Sequence, residues 1–296
     1  MEEVLRKIDS ILSGRGGIFS LMARNFETGE EICVNPDVML PAASVFKVPV
    51  LVELYRKASL GQIDLAQKRV LREEDKSPGS GILKEMTEGL EISLRDLGTL
   101  MIIISDNTAA DMCLEAAGLY DVNATMHRLG LKSTFVSMGC KGLLAHCAGI
   151  KENWPTKEQV AESFRILESG KVDYNGLAFQ GCPENNVTTA RDMVDLMEAL
   201  YKAKGLPKEV CENCLSVMKK QQLRDRIPGL LPLGTITMTK SGTLGVNVVV
   251  NDVGIVQPAN SSAYAIAILT KQEPRDDARQ VPALLSKVVY DYFTRE

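Results

Sequence analysis

The chain has no excess of positive charge: 34 Lys and Arg stand against 38 Asp and Glu, a formal net charge of -4. That excludes a polybasic nucleic-acid surface as the default reading, because phosphate binding needs a cationic footprint. It also lacks long apolar runs. Segments such as Leu100 to Ile104 fall far short of the roughly 20 residues that span a bilayer. At the N-terminus Glu2, Glu3, Arg6, Lys7 and Asp9 interrupt any apolar segment of the kind a secretory signal needs, so a cytoplasmic protein with no membrane partner is expected. There is no paired CxxC…CxxC array. The seven cysteines, at 33, 113, 140, 147, 182, 211 and 214, are odd in number and imply free thiols rather than a disulfide framework. Cys211 and Cys214 form one CxxC, and Cys140, His146, Cys147 and Cys182 fall in one stretch, which raises a soft-metal site as an alternative. Without the paired array the thiols read as small apolar packing groups, and no metal or cofactor is expected. GxSxG, HExxH, a Walker loop and GxGxxG after a strand are all missing. With only His127 and His146, a Ser-His-Asp triad has little to be built from.

What is present is a globular composition, 45% hydrophobic and 24% charged over 296 residues. At roughly 150 residues per domain this length allows one large domain or two lobes, with a core that needs neither metal nor disulfide. Val4, Ile8, Ile11 and Leu12 repeat at close to 3.6 residues, predicting a helix over 2–13 that stops at Gly14. Strand-like runs at 17–25 and 30–34 flank a hairpin turn at Glu27-Thr28-Gly29. From about 44 to about 220 the pattern is mainly helical, with periodic segments at 93–104, 107–117, 157–168 and 189–203 and stops at Gly118, Gly170 and Gly205. The period then switches. Residues 235–240 alternate, 246–256 and 263–269 are rich in branched apolar residues, and 278–293 reads as a closing helix. Strands at both ends with helices between them predict an α+β fold: one antiparallel sheet from both termini, flanking helices and a helical lobe. The expected layout is a single unit over 1–296, with a sheet lobe at approximately 1–43 and 221–296 and a helical lobe at approximately 44–220. The segment 135–186 is long, rich in Gly and Cys, and only partly helical.

Three short motifs carry the chemistry. Ser44-Val45-Phe46-Lys47 is an SxxK in which the serine would open a helix and the lysine would lie one turn on. A nucleophile and a base fit that spacing, provided that burial or a second cation lowers the lysine pKa. Ser216-Val217-Met218-Lys219 matches the same pattern. Only Lys47 precedes an apolar segment, Val48 to Val52, that would bury it. Ser105-Asp106-Asn107 opens the 107–117 helix and on local grounds is a helix cap. Lys240-Ser241-Gly242 ends an alternating run, where a glycine permits close backbone approach.

In the order SxxK, SDN, KSG the sequence resembles the serine penicillin-recognising enzymes, most closely the class A beta-lactamase-like hydrolases. Pro78 to Leu83 and Thr188 to Met193 also look like segments of that family. The resemblance implies that Ser44 is the acylated nucleophile, Lys47 its general base or proton relay, and Ser105 the donor to the leaving nitrogen. It further implies that Asn107 binds a substrate amide and helps hold Lys47, that Lys240, Ser241, Gly242 and Thr243 form the substrate-binding strand with the carboxylate on Lys240 and Ser241, and that the N–H groups of Ser44 and Thr243 form the oxyanion hole.

The sequence departs from that family in two places. The ExxLN motif, whose glutamate frees the acyl-enzyme in class A enzymes, is absent, and the interval from Ser105 to Thr188 is enlarged to 83 positions. Asp173 and Glu184 are the carboxylates in range, neither followed by Leu-Asn. After Lys240-Ser241-Gly242 the strand arginine is replaced by Val246-Asn247-Val248; Arg224 or Arg226 would have to substitute, although both read as surface charges. The expected function is a serine hydrolase taking a small-molecule amide or beta-lactam. The alternatives are a slow-deacylating D,D-peptidase-like or esterase enzyme, a non-catalytic binding protein on the same fold, and a metal-sensing module.

Overall fold

The computed structural model describes residues 1–273 and 279–295. In chain order the elements are α1 (Glu2–Leu12), β1 (Gly17–Asn25), β2 (Glu31–Val34), a short β3 (Leu40–Pro41), α2 (Lys47–Ser59) and the pair β4 (Lys68–Val70) and β5 (Glu91–Ser93). The helices α3 (Leu94–Ile103), α4 (Asn107–Ala117), α5 (Leu119–Arg128), α6 (Cys140–Cys147) and α7 (Lys157–Glu168) follow. Then come β6 (Val187–Thr188), α8 (Ala190–Lys202), α9 (Lys208–Met218), the strands β7 (Ile236–Leu244), β8 (Val249–Gln257) and β9 (Tyr264–Gln272), and α10 (Val281–Phe293). The expected start of the last helix, Ala278, lies outside the described residues.

The main sheet has the order β2-β1-β9-β8-β7 and is antiparallel throughout, so the two chain ends meet at the β1–β9 seam as the α+β reading requires. Alternation of side chains sends the two faces of each strand into different cores. Val253 and Ile255 of β8 with Ala265, Ala267 and Leu269 of β9 pack towards the central helices. Val256, Tyr264, Ile266 and Ile268 face the opposite way, beneath Val4 and Ile8 of α1 and Val281, Leu285 and Val289 of α10. Side-chain caps start four of the central helices: Ser93, Asp106, Thr156 and Thr189 each accept a backbone N–H three residues on. Such a cap is worth about 1 kcal/mol. Gly118, at φ 79°, ends α4 and leads directly into α5.

Two boundaries differ from the sequence reading. Ser44 does not open the long helix; it sits on a tight 3-10 turn, Ala43–Phe46, and α2 begins at Lys47. The branched run expected as a strand from 246 instead begins with the β7–β8 turn, where Val246 and Asn247 have φ of 24° and 70°. The pairing of Leu244 with Val249 leaves only four residues to reverse the chain, and that geometry overrides the strand preference of Val246. Within 135–186 the chain forms α6 and α7 and returns through a bridge from Phe135 to Val187. Among the described residues no helix is long and apolar enough to cross a membrane.

Candidate active site

Ser44 is held where the sheet meets the central helices. Asn251 of β8, fully buried, donates through Nδ2 to the carbonyls of Pro41 at 2.8 Å and Ala42 at 3.1 Å. On the other side the Ala42 N–H donates to the Asn186 carbonyl at 2.8 Å. Ala43, immediately before the serine, is at φ 45°, a left-handed backbone that a non-glycine residue adopts only when its surroundings impose it. Gly242 of β7 lies directly against this turn: a Cβ there would stand 3.0 Å from Ala42 O, 3.0 Å from Ser44 N and 3.1 Å from Val45 N. The close approach expected of that glycine is therefore an approach to the backbone of the serine turn.

Lys47 and Lys240 converge from α2 and β7, and both are fully buried. Lys47 Nζ donates to Asn107 Oδ1 at 2.7 Å and to Ser105 O at 2.7 Å, and lies 3.2 Å from Ser105 Oγ. Lys240 Nζ donates to the same Ser105 Oγ at 3.0 Å and to Ser241 O at 2.6 Å. One serine hydroxyl thus bridges two lysines. Burial is the main cause lowering the pKa of each, and for Lys240 the positive charge of Lys47 adds to it. Ser105 is at φ 59°, and its neighbour Asp106 does cap α4, accepting Ala109 N–H at 2.9 Å while also taking Ile82 N–H at 2.7 Å and Leu83 N–H at 2.9 Å. In this motif the cap falls to Asp106, while Ser105 and Asn107 are the residues that bond Lys47.

A cavity of about 210 Å³ borders Ser44, Ser105, Asn107, Ser241 and Thr243, together with Gly79, Ser80, Cys140, Leu143, Leu144, Leu223 and Leu244. The SxxK, SDN and KSG residues are therefore brought together, and Gly242 is set behind them. The second SxxK is not: Ser216 and Lys219 are exposed on and after α9. Neither Asp173 nor Glu184 lines the cavity; Asp173 accepts Asn175 N–H in its own turn, and Glu184 is exposed. Among the described residues lining it there is no carboxylate.

Two contributors, Ser80 and Asn251, were not legible as site residues, and a third, Arg226, reads from the sequence as a surface charge. Ser80 Oγ lies 2.8 Å from Ser105 O, to which it donates, and 3.2 Å from Asn107 Oδ1; the resemblance marks Pro78 to Leu83 as a segment but gives this hydroxyl no role. Asn251 carried no local signal. Arg226 corrects the surface-charge reading. It is buried, donating to Gly242 O at 2.7 Å, Asn251 O at 2.6 Å and Thr243 Oγ1, while Arg224 stays exposed. The segment 221–226 folds Arg226 under β7, where three acceptors offset the loss of water.

Asp252 faces Arg226 from β8. It is fully buried, takes Ile227 N–H at 2.9 Å on Oδ2 and has no partner on Oδ1, and burial pushes its pKa from 3.8 up to about 6. A carboxyl raised in the fold binds an extra proton there relative to the unfolded chain, so stability falls as pH rises from 3.8 to about 6. Asp252→Asn should flatten the dependence of Tm on pH across that window; an unchanged slope would show that Asp252 does not titrate there.

The sets raised for a metal are dispersed. Among the described residues no three His, Cys, Asp or Glu side chains are grouped to hold an ion. His146 pairs with Asn153 at 2.8 Å, all seven cysteines are unpaired, and Cys211 and Cys214 are buried on α9.

A serine in a strained turn lies beside buried lysines that meet at a second serine hydroxyl, and the chain's relatives make it a serine hydrolase acting on amide C–N bonds. The chain belongs to the beta-lactamase enzyme family, whose family model matches residues 3–293. It is 27% identical to the beta-lactamase regulatory protein BlaB of Streptomyces cacaoi, with 97% of this chain and 95% of that protein covered. It is 23% identical to a beta-lactamase of Bacteroides uniformis, covering 98% of this chain and 91% of that one. The crystal structure of a beta-lactamase from Sphaerobacter thermophilus superposes with a TM-score of 0.79 at 26% identity, covering 99% of this chain and 97% of that one.

Proposed function

We propose that the chain is a cytoplasmic serine hydrolase of class A type whose Ser44 is acylated by a beta-lactam or a related small-molecule amide. It is read as a single catalytic unit over 1–296, with the site between a sheet lobe at approximately 1–43 and 221–296 and a helical lobe at approximately 44–220. Seven unpaired thiols support the cytoplasmic placement.

Lys47, with its charged form disfavoured by burial, takes the Ser44 proton as the hydroxyl attacks the carbonyl. The N–H groups of Ser44 and Thr243 hold the oxyanion that develops. Ser105 Oγ hands a proton to the departing nitrogen and recovers one from the lysine pair. Asn107 holds Lys47 and presents its amide to the substrate; Lys240 and Ser241 take the substrate carboxylate, with the Arg226 charge behind Thr243. The observation that carries this reading is the Ser105 hydroxyl shared by Lys47 and Lys240 at the edge of the Ser44 cavity.

The absence of a carboxylate among the described cavity residues favours a second reading of rate. Without a base for water the acyl-enzyme persists, and the protein behaves as a slow-deacylating, penicillin-binding enzyme of D,D-peptidase type. Intact-protein mass followed over time after adding penicillin G tests both. An adduct mapping to Ser44 and missing from Ser44→Ala is expected; neither adduct nor product would refute acylation at Ser44, and fast product without adduct would refute the slow reading.

A further inference from the structure

The cavity beside Ser44 has a thiol in its wall. Cys140, the first residue of α6, is 3% exposed and lines the cavity with Leu143 and Leu144 of the same helix. The backbone under it is fixed. The Asp111 carboxylate accepts the N–H groups of Cys140 and Lys141 and the Ser77 hydroxyl, and Gly139 leaves it room, since a Cβ there would stand 2.5 Å from Asp111 Oδ1.

On this side of the site α6 offers two leucines and a thiol, and none of them takes a proton from water near neutral pH. Burial pushes the Cys140 pKa up to about 12, which keeps it a thiol. The nearby carboxylates are engaged elsewhere: Asp106 by three backbone N–H groups and Asp111 by two more and the Ser77 hydroxyl. The charged and titratable groups whose fields reach Lys47 are Lys240 from β7, Asp106, Asp111 and Cys113 at and within α4, and Cys140 from α6.

We propose that Cys140, by putting a thiol rather than a carboxylate in the cavity wall beside Ser44, is the determinant of how long the Ser44 acyl-enzyme lasts. The proposal rests on the reading of Ser44 as nucleophile. Its test uses the full chain and penicillin G, comparing adduct lifetime and the pH profile of acylation in the unsubstituted protein, Cys140→Ser and Cys140→Asp. Cys140→Asp should shorten the adduct lifetime by about tenfold or more and move the acidic limb of acylation up by about one pH unit, because an anion beside Lys47 favours the ammonium. Cys140→Ser, which adds no carboxylate, should not shorten the adduct lifetime. An adduct in Cys140→Asp that forms and lasts as in the unsubstituted chain would overturn the proposal, whereas no adduct on the unsubstituted chain would overturn the Ser44 reading instead. Should Cys140→Asp fail to fold, Cys140→Gly with added sodium formate decides: formate shortening the lifetime only in the glycine variant supports the proposal, and no effect of formate sinks it.

Discussion

Lys47→Met should slow acylation of Ser44 by about 10³-fold, within the 10²–10⁴ range that a positioned general base contributes, while leaving the melting temperature equal or higher. The two effects separate because Lys47 is an expensive group to keep. It is fully buried and its pKa is lowered by that burial; a well-packed apolar side chain of similar length in place of a buried charge is often neutral or stabilising. A sharp fall in Tm would mean that the lysine chiefly serves packing and bonding to Ser105 and Asn107. The pH profile gives a second readout with a definite sign. Only the neutral amine accepts the Ser44 proton, so acylation by the unsubstituted protein rises with pH through the lowered Lys47 pKa, and Lys47→Met loses that limb. Mass spectra at fixed times across a pH series measure both rate and profile.

Gly242→Ala should cost about 10²-fold in acylation rate, the scale on which small misplacement of reacting groups acts. The glycine is not at positive φ, so alanine brings no backbone strain of its own. Steric contact decides. The new methyl would lie 3.0 Å from Ser44 N and Ala42 O, which are backbone atoms, and Asn251 ties that turn to the sheet from the other side. The displacement it forces falls on the Ser44 N–H and on the strand carrying Thr243, the two oxyanion donors of the proposed mechanism. A change confined to Tm, with the acylation rate unaltered, would show that the turn yields without moving those donors.

Residues whose role is local were legible. The helical period predicted α4 and α7 to the residue, at 107–117 and 157–168, and the hairpin turn at Glu27-Thr28-Gly29 leads from β1 towards β2. Where contacts between distant segments decide, local pattern misled. Val246 has strand character yet turns the chain between β7 and β8, and Arg226 has the surroundings of a surface charge yet donates to Gly242 and Asn251. The polarity of a side chain says nothing about which acceptors, 16 and 25 positions away, will meet it.

By itself the sequence determined the class of the protein: a sheet built from both termini, helices between, and SxxK, SDN and KSG in an order that implies an acyl-serine enzyme. Local sequence also separated the two SxxK motifs, through the apolar run after Lys47; tertiary structure alone decided that Lys47 and Lys240 meet at one hydroxyl, that Asn251 and Gly242 clamp the serine turn, and that a thiol rather than a carboxylate lines the cavity beside Ser44. Periodicity and capping arise from neighbours within a few residues, so they are written along the chain. Burial, pKa shifts and cavities depend on groups dozens of positions apart, and they exist only once the sheet and helices have closed on each other.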